Sequence, residues 1–156
     1  MLKTFKIGGV HPPENKLSAQ GEIITLPLPE QVSIPLSQHI GAPAVPTVKK
    51  GDTVKVGQLI GQAAGFISAN IHSSVSGTVT SVDPVIDASG YPRPAITIKV
   101  EGDEWDEKIL KEPLSQHPNT FTKEEIIAAI NAAGIVGMGG ATFPTHVKLS
   151  PPPGST

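Results

Sequence analysis

Val48 to Gly61 reads VKKGDTVKVGQLIG, and Ile71 to Val79 follows as IHSSVSGTV. Apolar Val54, Val56 and Val79 alternate with polar neighbours, the two-residue period of a half-buried strand. Lys50–Gly51–Asp52 and Val56–Gly57–Gln58 interrupt the alternation with the residue types of tight turns. Short twisted strands joined by turns are therefore predicted from Thr47 to Val82. A further strand is predicted over Ala95–Val100 (AITIKV), with Ile96, Ile98 and Val100 on one face and Thr97 and Lys99 on the other.

Upstream, residues 1–46 carry extended candidates at Thr4–Ile7 and Val32–Leu36, separated by HPPENK, LPLPE and GAPAVP. Each proline removes a backbone donor and biases its predecessor toward extended geometry, so no regular helix is expected before residue 48. Downstream, Thr122 and Glu125 form a capping-box pair, Ile126, Ile130 and Ala133 fall at i, i+4 and i+7, and Gly134 stands where a left-handed C-cap belongs. A helix over 123–133 follows. The polar, proline-broken stretch 102–120 reads as a linker, in which Asp103, Glu104, Asp106 and Glu107 make a solvated acidic cluster around one anchoring ring, Trp105.

Composition narrows the chemistry. A chain of 156 residues holds one domain with a real core, or one domain and part of another. The formal charge of −2 offers no basic stripe for nucleic acid. There is no cysteine, so disulfides, thiol catalysis and thiolate metal or iron–sulfur sites are excluded within these residues. The N-terminus lacks the apolar region of a secretory signal, and no apolar run approaches the roughly 20 residues of a membrane span. A soluble, cytoplasmic chain is expected, mainly β, with small side chains and many turns.

The strand–Gly-Asp–strand–Gly-Gln–strand run and the closing SGTV resemble a biotinyl/lipoyl-type barrel-sandwich hybrid. Members of that carrier family present a modified lysine at the tip of the hairpin joining the two halves. Here the intervening QAAGFISANIHSS (62–74) has no lysine. Alanine, serine and asparagine cannot form the amide that biotin or lipoate requires, so the resemblance implies the fold without the carrier chemistry.

Taken in order, GGVHPPENK, IPLSQHIGAPA, VKKGDTVKVGQLIG, SANIHSSVSGTV, DASGYPRPAI and GIVGMGGATFPTHVKL resemble the N-terminal part of the C subunits (RnfC) of Rnf-type ion-translocating electron transport complexes. The similarity runs over nearly the whole chain. It implies a β-rich barrel-sandwich hybrid domain with an N-terminal extension over 1–101, a linker over 102–120, and over 121–156 the first helix and glycine-rich loop of a truncated α/β flavin/NADH-binding domain. It further implies FMN and NADH as cofactors of the full-length protein, with two [4Fe–4S] clusters outside these residues. The implied partners are other subunits of the membrane complex, with no nucleic acid and no membrane span, at the cytoplasmic side of the cell membrane. Whether ferredoxin is a partner stays open.

The loop in GIVGMGGATFPTHVKL (134–149) admits a physical reading of its own. Gly137, Gly139 and Gly140 lack Cβ atoms and permit positive φ, so backbone N–H groups can face a phosphate and a flat ring can lie against the chain. Phe143 offers a stacking face and Lys148 a cation. The dinucleotide fingerprint G-x-G-x-x-G is not met, because residue 142 is threonine and a helix precedes the loop where a strand should. The loop is similar to GRGGAGFPTGLK in the flavin-binding subunit of NADH:quinone oxidoreductase. That likeness implies backbone contacts to FMN from Gly137, Gly139 and Gly140, Phe143 at the border of the nicotinamide pocket, and Lys148 near flavin or phosphate. Met138 stands where that family has arginine, removing a planar five-donor cation, and Thr142 replaces a glycine.

No other constellation carries chemistry. His11, His39, His72, His117 and His146 never fall at metal-ligand spacing. His39 and His72 read as hydrogen-bonded turn histidines. Ser73, Ser74 and Ser76 near His72 lack the nucleophile-elbow frame. The alternative to an electron-transfer subunit is a non-enzymatic docking or scaffold module, with the loop a plain helix C-cap followed by a turn.

Overall fold

The computed structural model describes residues 13–109 and 121–151. The expected strand Thr4–Ile7 and residues 110–120 of the expected linker lie outside the described residues.

Two corners of the fold are built alike. At Lys49–Asp52 the Asp52 N–H donates to the Lys49 carbonyl at 3.1 Å, and the Asp52 carboxylate accepts the Lys49 N–H at 2.9 Å. At Lys55–Gln58 the Gln58 N–H donates to the Lys55 carbonyl at 3.1 Å, and the Gln58 side-chain oxygen accepts the Lys55 N–H at 3.0 Å. The third residue of each turn is glycine, Gly51 at φ 94° and Gly57 at φ 83°, values that disfavour any residue with a Cβ. The Gly-Asp and Gly-Gln pairs are thus one turn used twice.

Among the described residues seven strands run between and around these turns: β1 (Gln31–Pro35), β2 (Val45–Pro46), β3 (Thr53–Val54), β4 (Leu59–Gln62), β5 (Ile71–His72), β6 (Gly77–Ile86) and β7 (Pro92–Val100). They form a four-stranded sheet ordered β1-β7-β6-β3 and a three-stranded sheet ordered β2-β4-β5, with antiparallel pairing throughout. Both sheets feed one core. Ile34, Leu36, Val54, Ile60, Ile71, Val79, Ile96 and Ile98 are all buried in it. Each fully buried side chain of this size contributes about 1.5–3 kcal/mol relative to exposure. The alternation expected for β7 holds at Ile96, Ile98 and exposed Lys99. Thr97 departs from it, because its hydroxyl is buried against Ser33 Oγ at 3.0 Å.

The barrel does not stop at Val100. The Glu104 N–H donates to Ser76 Oγ at 3.0 Å, the Val56 N–H to the Glu104 carbonyl at 2.8 Å, and the Asp106 N–H to the Val56 carbonyl at 2.9 Å. Val56 and Trp105 form a parallel bridge, and Ile109 packs so closely on Gly57 that a Cβ there would meet it at 2.5 Å. Residues 102–109, read from sequence as the start of a linker, are thus strapped to the barrel. By contrast, residues 13–30 leave Leu17, Ile23, Ile24, Leu26 and Leu28 exposed.

Helix α1 (Lys123–Ala132) begins with the predicted capping box. The Glu125 N–H donates to Thr122 Oγ1 at 3.3 Å, and the Glu125 carboxylate accepts the Thr122 N–H at 2.8 Å. It ends in a Schellman motif: the Ile135 N–H donates to the Ile130 carbonyl at 3.2 Å and the Gly134 N–H to the Asn131 carbonyl at 3.0 Å, with Gly134 at φ 66°. No residue of α1 is buried among the described residues, and Ile126 is exposed. A second helix, α2 (Thr145–Lys148), lies against it and closes the described chain with Leu149 and Pro151.

Candidate functional site

The hairpin between β4 and β5, where the carrier resemblance would put a lysine, is fastened to the loop after β1 by three hydrogen bonds and braced internally by a fourth. The Ala42 N–H donates to the Ile67 carbonyl at 3.1 Å and Ser68 Oγ to the Ala42 carbonyl at 2.8 Å. Ser68 Oγ also accepts the Ala64 N–H at 3.1 Å, and His39 Nε2 accepts the Ala69 N–H at 3.1 Å. Phe66 is exposed at the outer end of this segment. A swinging arm needs a free tip; this one is stitched to the loop after β1.

Asn70 joins the hairpin to α1. Its Oδ1 accepts the Ala63 N–H at 3.0 Å, and its Nδ2 donates to the Ala132 carbonyl at 3.1 Å. The Schellman motif satisfies the carbonyls of Ile130 and Asn131, so Ala132 offers the next orphan acceptor of the helix end. The backbones touch as well: a Cβ on Gly134 would lie 2.1 Å from the Asn70 carbonyl oxygen. A crevice of about 160 Å³ runs along this seam, lined by Gln38, His39, Asn70, His72, Gly134 and Val136. Burial there pushes the His72 imidazole below its ordinary pKa. Sequence reasoning flagged Gly134 as a cap but missed Asn70, a single amide between Ala69 and Ile71 that belongs to no recognisable motif.

From Gly134 the chain enters the glycine loop. Val136 and Pro144 form an antiparallel bridge, flanked by Gly137 N–H to Phe143 carbonyl at 2.9 Å and Thr145 N–H to Ile135 carbonyl at 3.0 Å. Inside this neck the Thr142 N–H donates to the Gly139 carbonyl at 3.0 Å, closing a tight turn. The loop is a small closed lobe standing on the clamped helix end.

The structure brings three of the five predicted site residues together. Lys148 Nζ sits 5.7 Å from the centre of the Phe143 ring, within cation–π range. A Cβ on Gly137 would lie 3.0 Å from the same Nζ, so the absence of a side chain there makes room for the lysine. Gly139 and Gly140 stand apart at the turn. A Cβ at either would meet no atom of the described residues within 4 Å, and neither they nor Gly137 takes a φ between +20° and +160°. Thr142 takes the left-handed conformation instead, at φ 42°. That is the residue where the similar flavin loop has glycine, and a β-branched side chain is poorly suited to it. Met138, at the arginine position, is fully exposed. The lobe thus offers a cation, an aromatic face and a turn open to approach. Among the described residues no cluster of His, Asp or Glu can hold a metal ion.

Comparison with known proteins agrees with this architecture. Residues 3–103 match the family model described as the RnfC barrel sandwich hybrid domain. The chain is similar to the C subunit of the proton-translocating ferredoxin:NAD(+) oxidoreductase complex of Clostridium ljungdahlii, 49% identical over 98% of this chain and 33% of that protein. It is similar to the C subunit of the ion-translocating oxidoreductase complex of Rhodobacter capsulatus, 48% identical over 96% of this chain and 29% of that protein. It is also similar to the C subunit of the Na(+)-translocating ferredoxin:NAD(+) oxidoreductase complex of Acetobacterium woodii, 46% identical over 96% of this chain and 33% of that protein. The chain spans a third or less of the length of these relatives. The antiparallel hybrid barrel, its paired glycine turns and this match place the chain in the RnfC barrel-sandwich hybrid family.

Proposed function

We propose that this chain is the N-terminal part of a peripheral subunit of an ion-translocating electron transport complex, in which electrons pass between NADH, flavin and iron–sulfur centres at the cytoplasmic face of a membrane. The names of the relatives support the complex and its class of reaction, and two of them name ferredoxin and NAD(+) for those proteins. No helix among the described residues is long and apolar enough to cross a membrane, which agrees with a peripheral place. Since the chain has no cysteine, the two [4Fe–4S] clusters belong to the remainder of the protein.

Within this reading the glycine lobe forms one wall of a composite FMN and NADH site. The observation that carries it is the open space around Gly139 and Gly140. Neither neighbouring atoms nor a left-handed φ calls for glycine there, and the bare backbone leaves room for a flat ring or a phosphate to approach the turn. Gly137, Gly139 and Gly140 would present backbone to the flavin, Phe143 would border the nicotinamide side, and Lys148 would hold positive charge beside flavin or phosphate. FMN, when bound, supplies the conversion between the two-electron chemistry of NADH and the one-electron chemistry of iron–sulfur centres. This chain's residues contribute positioning and charge, and alone they complete no hydride-transfer site.

The test is NADH-dependent reduction of ferricyanide by the full-length protein with Gly139→Val. The new side chain meets no described atom of the protein, so the fold should survive while activity falls at least tenfold. Activity equal to wild type would refute the reading and favour a docking module whose loop contacts no cofactor.

A further inference from the structure

We infer that the hairpin which presents the modified lysine in carrier domains acts here as a clamp, and that Asn70 is the positioning residue through which the barrel holds the glycine lobe in place. This rests on the reading of that lobe as a cofactor wall, and extends it by assigning the barrel a role in the site.

Three observations carry the inference. First, the Asn70 amide faces one donor and one acceptor, the Ala63 N–H and the Ala132 carbonyl, so only one orientation of the amide satisfies both. Second, the acceptor is the carbonyl that the Schellman motif leaves over, two residues before the glycine that opens the loop. Third, the backbone approach between Asn70 and Gly134 admits no side chain at Gly134, so hydrogen bond and close packing converge on one point. The hairpin behind Asn70 is itself held by His39, Ser68 and Ala42. Rigidity therefore passes from the barrel, through the Asn70 side chain and the Asn70–Gly134 backbone contact, to the end of α1. The helix has no buried residue of its own to fix its place.

Asn70→Asp is the sharpest variant. One carboxylate oxygen can still accept the Ala63 N–H, while the other faces the Ala132 carbonyl with no proton to share. In the 156-residue chain, residue-resolved amide exchange should show the Ile135 N–H exchanging about tenfold faster, the size expected for one lost helix-end hydrogen bond, with Val79 and Ile98 unchanged. Gly134→Ala should accelerate the same amide, and the double variant should add little to either single one. If the aspartate also exposes Ile98, Asn70→Ser provides the milder version. Unchanged protection at Ile135 would overturn the clamp.

In the full-length protein, Asn70→Asp should weaken FMN binding several-fold and lower the fluorescence anisotropy of bound flavin, with Asn70→Gln partly restoring both. Equal FMN affinity in wild type and variant, together with faster exchange at Ile135, would refute the dependence of the cofactor site on the barrel. No FMN binding by a folded wild type would instead refute the cofactor reading and leave the clamp judged by exchange alone.

Discussion

His39 Nε2 accepts the backbone N–H of Ala69 at 3.1 Å, with both residues buried, and this bond ties the loop after β1 to the hairpin between β4 and β5. Because Nε2 accepts, the ring proton lies on Nδ1, which donates to the Ile40 carbonyl at 3.2 Å. One imidazole thus satisfies a backbone group beside it, at Ile40, and another 30 residues along the chain, at Ala69.

Replacing His39 by leucine keeps the bulk and removes the acceptor. The Ala69 N–H then has no partner in the interior, a cost of about 1–3 kcal/mol. Denaturant unfolding of the 156-residue chain should show that loss, with His39→Gln recovering part of it. A leucine variant as stable as wild type would contradict this role.

Thr142 at φ 42° is strained, and strain of this kind costs about 1–3 kcal/mol. Glycine would relieve it but gives back about 0.5–1 kcal/mol through the freer unfolded chain. Asparagine tolerates the left-handed region without that penalty. The Gly137 amide, bonded across the neck of the loop, should therefore be protected from exchange in the order Thr142→Asn, Thr142→Gly, wild type. Weaker protection in both variants would show that the threonine side chain stabilises the loop by a contact that outweighs the strain.

Glu125 lies below the usual glutamate value of 4.5, chiefly through the hydrogen bond its carboxylate accepts from the Thr122 N–H, and then through the Thr122 hydroxyl. A depressed carboxylate stabilises the folded helix above its unfolded pKa and loses that contribution as pH falls through the folded value. Helix signal by circular dichroism should drop between pH 5 and about pH 3, and Glu125→Gln should reduce the drop. Thr122→Ala should cost about 1 kcal/mol of α1 stability at neutral pH. A wild-type profile no steeper than that of Glu125→Gln would count against the capping box.

Burial holds His72 below the ordinary histidine value of 6.5. The unfolded chain then takes up a proton before the folded one does, so stability is full above about pH 6.5 and declines as pH falls below it. Unfolding midpoints between pH 8 and pH 5 should slope downward in wild type, and more shallowly in His72→Asn. Identical slopes would place the sensitivity elsewhere.

The barrel was legible because its signals are local. Gly51 and Gly57 mark turns by their residue type, Ile96 and Ile98 alternate, and Thr122 with Glu125 announces a helix start. The strapping of residues 102–109 was not legible, since it depends on backbone bonds from Val56 to Glu104 and Asp106, and polar side chains in that stretch advertise only solvent. The clamp was hidden for the same reason. Asn70 reaches Ala132 across 62 residues, and no periodicity records such a meeting. In the loop, the sequence permits left-handed glycines; the structure puts the left-handed residue at Thr142 and leaves Gly139 and Gly140 open within a turn closed by the Thr142 N–H.

The most direct measurement is a titration of FMN, followed by flavin fluorescence, into the 156-residue chain and into the full-length protein, each with and without Gly139→Val. The account predicts saturable binding by the full-length protein, loss of that binding in its Gly139→Val form, and none by the shorter chain. Full affinity in the full-length Gly139→Val variant, or no binding by a folded full-length wild type, would contradict it.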